Sequence, residues 1–219
     1  MRVVVPPTYS DAHKVTWRAR NELKRAFEPR QYKLVRGVLP AKLLAVRSGL
    51  ARYGRNNITY IPKYGSFHRL TSFYSDYDSP IDYWQEKEAL PLCAKCSACI
   101  KACPTKAIEK DRFLIRAERC LTYLNEKDAS HAFPRWVGAE AHNSVIGCMR
   151  CQRSCPYNKE VADWYVDRGV FDEAETEYLL QERYRGRKAA TIQRKLKAVG
   201  LELHIFPRNL EVLLGKEQL

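Results

Sequence analysis

The residues best suited to chemistry are eight cysteines, which follow a regular pattern along the chain. Four of them form the run C-x2-C-x2-C-x3-C before a proline, three more form a second group before another proline, and one lies between the groups. In order, they are Cys93, Cys96, Cys99 and Cys103, then Cys120, then Cys148, Cys151 and Cys155. The first run has the spacing of bacterial ferredoxins, in which cysteine thiolates hold 4Fe-4S clusters.

This spacing predicts two clusters whose ligands are exchanged between the groups. Three thiolates separated by two residues can wrap around one cubane, whereas the fourth, three residues farther on, points toward a second cluster. Cys120 takes the place of the first member of the second group. The predicted ligands of the first cluster are Cys93, Cys96, Cys99 and Cys155. Those of the second are Cys103, Cys120, Cys148 and Cys151, so all eight cysteines are used.

Three other roles for the cysteines fit the pattern less well. Structural zinc sites favour paired C-x2-C units over a triple run. Disulfides are disfavoured in a reducing compartment, and cysteines two residues apart bridge poorly. Buried free thiols would not recur at these intervals. The pattern therefore predicts an iron–sulfur protein that transfers electrons.

The segment before the cysteines predicts two helices and a strand. Residues 12–28 have the periodicity of an amphipathic helix with a basic face. A shorter helix is expected from Pro40 to Ser48, with Gly49 just past its end. A β-type run follows at residues 58–61. Gly49 and Gly54 would let the backbone of the intervening loop approach a large flat ligand, and Asn56 and Asn57 could bind its amides. An ordinary helix–turn–strand connection is the alternative.

The segments after the first cysteine run predict further short elements. The apolar residues 113–115 predict a short strand like that of a small ferredoxin hairpin. Residues 161–184 and 188–199 have helical patterns, and a last short helix is expected to start at Pro207. These helices are expected to cover the cluster domain.

The charge of the chain is concentrated in its first third. The 38 Lys and Arg residues exceed the 25 Asp and Glu residues by 13, and residues 1–75 contain 15 basic and 3 acidic residues, a difference of 12. Such a block attracts phosphates, nucleic acid or an acidic protein, although a basic surface without a partner is the alternative. No run approaches the length of a membrane span, and Val3–Val5 is too brief for a secretory signal, which predicts a cytoplasmic protein.

The loop and the cysteine order together resemble the epoxyqueuosine reductase and reductive dehalogenase superfamily. The resemblance covers residues 1–160. It is most specific in the S-G-L-x-x-x-G-[KR]-N loop that ends at Asn56 and in the displaced Cys120. Members of this superfamily place a cobalamin beside two 4Fe-4S clusters, so the resemblance implies that electrons pass from an outer cluster to an inner one and on to cobalt.

The resemblance also implies a fold and a set of cofactor-binding residues. The implied fold class is α+β, with a partial nitroreductase-like α/β segment, a ferredoxin-like double-cluster domain and a helical tail. The corresponding domains are residues 1–80, 81–160 and 161–219. The residues implied to line the corrinoid pocket are Gly54, Arg55, Asn56, Tyr64 and Ser66.

Two departures from the superfamily leave two functions open. Residues 29–41 contain no Asp or Glu at the place where epoxyqueuosine reductases have an acidic proton donor, and no other residue is selected as catalytic. The N-terminal half of the corrinoid domain is also expected to be missing. One hypothesis is an electron-transfer module whose basic third docks an acidic redox protein. The other is a cobalamin-dependent reductase that acts on tRNA.

Overall fold

The computed structural model describes residues 1–9, 12–81, 83–128, 130–181, 186–199 and 205–215. Short helices and strands alternate within these ranges, so the fold is a mixture of α and β structure. The helices are α1 (Ala12–Phe27), α2 (Ala41–Arg47), α3 (Ala98–Ala102), α4 (Leu121–Asn125), α5 (Arg150–Arg153), α6 (Glu173–Leu179), α7 (Gly186–Val199) and α8 (Phe206–Leu213). The strands are β1 (Arg2–Val5), β2 (Leu34–Gly37), β3 (Arg52–Tyr53), β4 (Thr59–Tyr60), β5 (Ser72–Ser75) and β6 (Val166–Val170).

The strands of the described ranges form three separate two-stranded antiparallel ribbons. β2 pairs with β5, and β3 pairs with β4. β1 pairs with β6, with Arg2 opposite Val170 and Val5 opposite Val166. This last ribbon joins the start of the chain to the region after the cysteines, so the first and last of the predicted domains are connected by main-chain hydrogen bonds.

Two apolar clusters lie on either side of the cysteine-rich segment. One joins α6, α7 and α8 and contains Phe171, Leu179, Ile192, Leu196 and Phe206 among its buried side chains. The other joins α2 to β3 through Ala45, Val46, Ala51 and Tyr53. These clusters anchor the two flanks from which the cysteine-rich segment extends.

Helix α1 is largely exposed to solvent. None of its described side chains is buried, and Trp17 is 63% exposed. Its C-terminal end is held by Phe27, whose ring stacks on Tyr77 with centroids 5.6 Å apart and meets Tyr32 edge-on at 5.8 Å. The basic side chains of this helix therefore lie in solvent.

The predicted elements before the cysteines are present. Helix α2 ends with Gly49 at a φ of +79°, and Ala51 donates its N–H to the Ala45 carbonyl at 2.9 Å. This left-handed glycine turns the chain back toward β3, as helix C-termini commonly require. The β-type run is strand β4, which pairs with β3 to enclose the loop between residues 53 and 59.

Two predictions after the first cysteine run are wrong. Residues 113–115 form no strand, because Phe113 and Leu114 are exposed and Phe113 instead packs its ring edge-on against Tyr53 at 5.0 Å. The predicted helix over 161–184 is divided, since it contains strand β6 and then α6. Pairing of β6 with β1 overrides the helical pattern, and a capping box at Asp172 and Glu175 starts α6 only after that strand. Within the described residues, no helix has the length and apolar character needed to cross a bilayer.

Candidate iron–sulfur centre

Four thiols from two distant parts of the chain surround one cavity. A 3-10 turn at Pro91–Ala94 carries the first of them, α3 carries another, and the last follows α5. The space left between them is small, with a cavity volume of about 20 Å³. The four cysteines that line it are Cys93, Cys96, Cys99 and Cys155. Burial, followed by the neighbouring thiols of Cys93, Cys155 and Cys96, raises the pKa of Cys99 to about 11.

The other four thiols also lie close to one another. Cys103 ends α3, Cys120 precedes α4, and Cys148 follows Gly147, whose φ of +69° makes the turn into α5. Cys151 lies in α5 itself. Burial is the main reason that the pKa of Cys151 is raised to about 12, and the thiols of Cys148, Cys120 and Cys103 raise it further.

Polar groups already point at two thiols of this second set. The Ala107 backbone N–H donates to the Cys103 sulfur at 3.2 Å, and the Asn143 amide donates to the Cys148 sulfur at 3.4 Å. Such donors stabilise negative charge on sulfur, as is usual around cluster ligands. All eight cysteines are free thiols of intermediate burial. Among the described residues, no three His, Cys, Asp or Glu side chains converge closely enough to hold a single metal ion.

The loop between β3 and β4 lies on the first cavity rather than over a separate pocket. Gly54, Arg55 and Asn56 all line this cavity with the four thiols. The Arg55 guanidinium donates to the carbonyls of Cys93 and Lys110, and its Nε is buried with no partner among the described residues. A partly buried cation with an unused buried donor at a cavity of four thiols suits an anionic iron–sulfur cluster.

The absence of a side chain at Gly54 leaves room for the side chains of Tyr60 and Asn56. A Cβ at this position would lie 2.4 Å from Cε2 of Tyr60 and 2.6 Å from Oδ1 of Asn56. Gly54 therefore allows close packing of the loop against Tyr60 and Asn56. These two side chains are hydrogen-bonded to each other, with Asn56 Nδ2 donating to the Tyr60 hydroxyl at 2.9 Å.

The other two residues implied to bind a corrinoid lie apart from this loop. Ser66 is buried, its backbone N–H donates to Asn158 Oδ1 at 2.8 Å, and its hydroxyl donates to Gln152 Oε1 at 2.8 Å. Tyr64 is 55% exposed. The five implied residues thus do not share one cavity, since three line the first thiol set, one is buried in a hydrogen-bond network and one faces solvent.

Sequence reasoning missed the partners that hold these loops. Asn158 is fully buried, and its amide donates to the Ser66 hydroxyl and to the Gln152 carbonyl, both at 2.7 Å. Tyr60 lies at the first cavity. Only the β-type run around Tyr60 indicated that it would be buried. Nothing in the sequence pointed to contact between residues 66 and 158.

The second cavity of interest lies next to the second thiol set. It has a volume of about 460 Å³ and opens between the β1 strand, the loop at residues 143–149 and α8. Its walls are largely aliphatic, and Tyr9, Arg2, Arg153 and Asn143 supply its polar groups. Cys148 reaches the wall of this cavity.

Comparison with known proteins identifies the cysteine-rich segment. Residues 92–158, which include all eight cysteines, match the family model of the 4Fe-4S double cluster binding domain. Over 181 residues the chain is 31% identical to the epoxyqueuosine reductase of Pseudomonas aeruginosa, a match that covers 80% of this chain and 47% of that protein. The chain is a relative of the epoxyqueuosine reductases. A second such enzyme, from Aliivibrio fischeri, is 34% identical over 117 residues, which are 53% of this chain and 30% of the enzyme.

The fold agrees with this relationship. The solved epoxyqueuosine reductase of Streptococcus thermophilus superimposes with a TM-score of 0.71 at 21% identity, covering 94% of this chain and 55% of that one. A crystal structure of an epoxyqueuosine reductase with a tRNA-Tyr stem loop superimposes with a TM-score of 0.66 at 22% identity, covering 94% of this chain and 55% of that one. This relative of the epoxyqueuosine reductases spans less than half the length of the curated enzymes it matches.

Proposed function

We propose that the chain holds two 4Fe-4S clusters on the exchanged cysteine sets and transfers electrons between them. The observation that carries this proposal is the cavity at which Cys155 meets the three cysteines of the first run, some fifty residues away in sequence. The complementary set is supported by the proximity of its thiols, since those of Cys148, Cys120 and Cys103 raise the pKa of Cys151. When bound, each cluster would supply a one-electron redox centre. The protein supplies the thiolates, partly shields them from solvent and brings the two sets together through contact of α3 with α5.

The test is anaerobic reconstitution with iron and sulfide, followed by chemical analysis and electron paramagnetic resonance (EPR) of the reduced protein. We expect about eight irons and eight sulfides per chain, as two cubanes require. A yield of about four of each would contradict the assignment of all eight cysteines. Cys99→Ser and Cys151→Ser are matched variants, one in each set, and each is expected to halve the iron content.

The most suitable docking surface for an electron donor surrounds the first cysteine run. Residues 91–106 contain Lys95, Lys101 and Lys106, all exposed, and no acidic residue. Leu92 lines the first cavity and is also 43% exposed, so apolar contact is available beside the thiols. An acidic redox protein is the partner that this surface complements. Eight cysteines that serve as cluster ligands rather than in disulfides suit a reducing compartment such as the cytoplasm.

The alternative function is a cobalamin-dependent reductase that acts on tRNA. The cavity of about 460 Å³ beside Cys148 favours it, because a macrocycle needs a pocket of at least several hundred Å³. A corrinoid there would supply a reducible cobalt next to the second thiol set. The exposed basic side chains of α1 offer contacts to RNA phosphates, in keeping with the solved relative that carries a tRNA stem loop.

Two double charge-reversal variants distinguish an acidic redox partner from tRNA. Lys95→Glu with Lys101→Glu is expected to slow reduction by an acidic flavodoxin-type donor and to leave binding of a tRNA stem loop unchanged. Arg18→Glu with Lys24→Glu is expected to weaken RNA binding most at low salt and to leave reduction unchanged. Each pair is the control for the other. Gel filtration with added cobalamin tests whether the chain binds a corrinoid. Absence of corrin absorbance in the protein peak would exclude the cobalamin-dependent reductase for this chain.

A further inference from the structure

A buried cation in α8 contacts the segment that carries the cysteines. Arg208 is 4% exposed and its neighbour Asn209 is 1% exposed. Arg208 Nε donates to Asn209 Oδ1 at 2.9 Å, so the two side chains act as one unit. Burial of a charge is unfavourable unless hydrogen bonds compensate for it, so the other contacts of this pair need an explanation.

Arg208 holds the end of α4 and the turn that follows it. Its guanidinium donates to main-chain carbonyls there at distances of 2.7–3.3 Å, namely those of Leu124, Asn125, Lys127, Asp128 and His131. Its Cζ also lies 4.4 Å from the centroid of the Phe133 ring. The last carbonyls of a helix have no partner within it, and a cation near them is favourable. Because Cys120 directly precedes α4, Arg208 fixes the element that begins after this cysteine.

Asn209 extends the contact to the loop before Cys148. Its Nδ2 donates to the Asn125 carbonyl at 2.8 Å and to the Val145 carbonyl at 2.6 Å. Asn125 is fully buried, and its own Nδ2 donates to the Gly147 carbonyl at 2.8 Å. That carbonyl belongs to the peptide bond that leads into Cys148. The pair in α8 therefore fastens α4 to this loop.

Helix α8 is itself anchored in an apolar cluster. Phe206 and Leu210 are buried there with side chains of α6 and α7. Val145 and Ile146, from the loop before Cys148, pack against the same cluster. Polar and apolar contacts of α8 thus act on one loop, and the position of that loop depends on α8.

We propose that α8 is a clamp that holds Cys120 and Cys148 in place for the second cluster, with Arg208 and Asn209 as its positioning residues. This inference rests on the proposed function, in which both cysteines ligate that cluster. Among the described residues, the hydrogen-bond partners of the pair outside α8 lie at residues 124–131 and at Val145. The clamp therefore acts on the second thiol set rather than on the first.

The physical basis is the cost of bringing ligands together. Thiolates carry like charges and repel one another until iron binds, so the chain must hold them close. Cys120 and Cys148 lie on separate segments, which only tertiary contacts can keep in register. Groups that support metal ligands from outside commonly change metal affinity by about 10–100-fold. Loss of the clamp should therefore weaken retention of the second cluster and spare the first.

The test is a challenge of the reconstituted full chain with an iron chelator under anaerobic conditions, followed by iron analysis and EPR of the reduced protein. Arg208→Met removes the cation and its donors, and Asn209→Leu removes the amide at similar size. Each is expected to lose the second cluster at least about tenfold faster than the wild type. The product should keep about four irons per chain and the signal of the first cluster. Cys103→Ser, which should retain only the first cluster, supplies the reference spectrum.

Arg208→Lys retains the cation with fewer donors, and it is expected to keep more of the second cluster than Arg208→Met does. Val46→Ala is the matched control, because it truncates a fully buried side chain in the apolar cluster of α2 and β3. It should destabilise the fold without touching the clamp, so the ratio of the two EPR signals is expected to stay that of the wild type.

The inference is overturned if Arg208→Met keeps both clusters as the wild type does or loses them at equal rates. Asn209→Leu decides the question in the same way if Arg208→Met fails to fold. Failure of the proposed function would be seen separately, as wild-type protein that binds fewer than two clusters.

Discussion

Cys103 and Cys99 lie only four residues apart, yet the structure directs them to different thiol sets. Cys99 sits in α3 among the thiols of Cys93, Cys96 and Cys155, whereas Cys103 ends that helix and faces the second set. The contact between α3 and α5 lets each helix serve both sets. The predicted exchange of ligands between neighbouring clusters would therefore follow from where α3 ends.

This arrangement predicts opposite outcomes for two neighbouring substitutions. Cys103→Ser should remove the second cluster and leave the first largely intact, whereas Cys99→Ser should do the reverse. Serine keeps the size of the side chain but is a much poorer ligand for iron. EPR spectra of the two reduced variants would show the remaining signal in each case. Equal loss of both signals in either variant would contradict the exchanged assignment.

A second single residue, His68, is expected to make the free energy of unfolding depend on pH. With its proton on Nδ1, it donates to the Gly65 carbonyl at 3.0 Å and accepts at Nε2 from the Thr59 hydroxyl at 3.1 Å. Burial lowers the pKa of His68, against a smaller opposing effect of the Gly65 carbonyl. The folded state therefore resists a proton that the unfolded state accepts near pH 6.5.

The free energy of unfolding should consequently fall as the pH drops below about 6.5, because the unfolded state binds more protons there. His68→Gln lacks this titration and should show a weaker decline between about pH 7.5 and 5.5. Urea unfolding under anaerobic conditions at several pH values measures both. His142, whose pKa burial also lowers, is present in both proteins and cancels from the difference. Parallel pH profiles would show that His68 does not contribute.

At the scale of elements, the turn after β4 is fastened to the segment after the last cysteine. Asn158 accepts from the Ser66 backbone and donates to the Ser66 hydroxyl and the Gln152 carbonyl. Gly65 must lack a side chain here, because a Cβ would lie 2.2 Å from Asn158 Oδ1 and because its φ is +53°. This network holds the β3–β4 hairpin against the second cysteine group.

Asn158→Ala should therefore destabilise the protein substantially. It leaves the buried Ser66 N–H and hydroxyl with fewer partners, and the expected loss is about 2–4 kcal/mol in the free energy of unfolding. Lys159→Ala, an exposed neighbour, should change it by less than about 0.5 kcal/mol. Urea unfolding of the two variants gives the comparison. Equal effects would mean that the network contributes little.

At the scale of the whole molecule, the cysteine-rich segment has little apolar core of its own. Neither apolar cluster has a buried member between residues 91 and 158. The buried apolar residues of that segment are few and mostly small or isolated, namely Ala107, Ile108, Leu121, Leu124 and Ala141. Metal ligation commonly supplies folding free energy to such segments. We expect the clusters to do so here.

Removal of the clusters should therefore loosen this segment first. After treatment with an oxidant and a chelator, trypsin is expected to cut at Lys95, Lys101 and Lys106 well before it cuts within the cluster of α6, α7 and α8. Mass spectrometry of the fragments over time measures the order of cleavage. The cluster-loaded protein under the same conditions is the control. Uniform cleavage along the chain would show that the flanking cores depend on the clusters equally.

The amino-acid sequence by itself determined the chemistry and the local elements that carry it. Thiol spacing is read directly along the chain, so the iron–sulfur prediction needed no tertiary contact, and the 4Fe-4S double cluster match at residues 92–158 confirmed it. Helices α1 and α2 were predictable because their apolar periodicity and the terminal Gly49 act over a few residues. The likeness to epoxyqueuosine reductases was also confirmed. Pairing of each cysteine with its cluster remains a prediction.

Only the tertiary structure decided what surrounds the thiols. Strand β6 forms because β1 pairs with it from more than 160 residues away, and no local pattern contains that information. The Gly54–Asn56 loop lies at the first thiol set, beside Tyr60, and its role at a corrinoid stays a prediction. Likewise, Ser66 meets Asn158 across 92 residues. These contacts depend on packing between distant segments, which local spacing and periodicity do not specify.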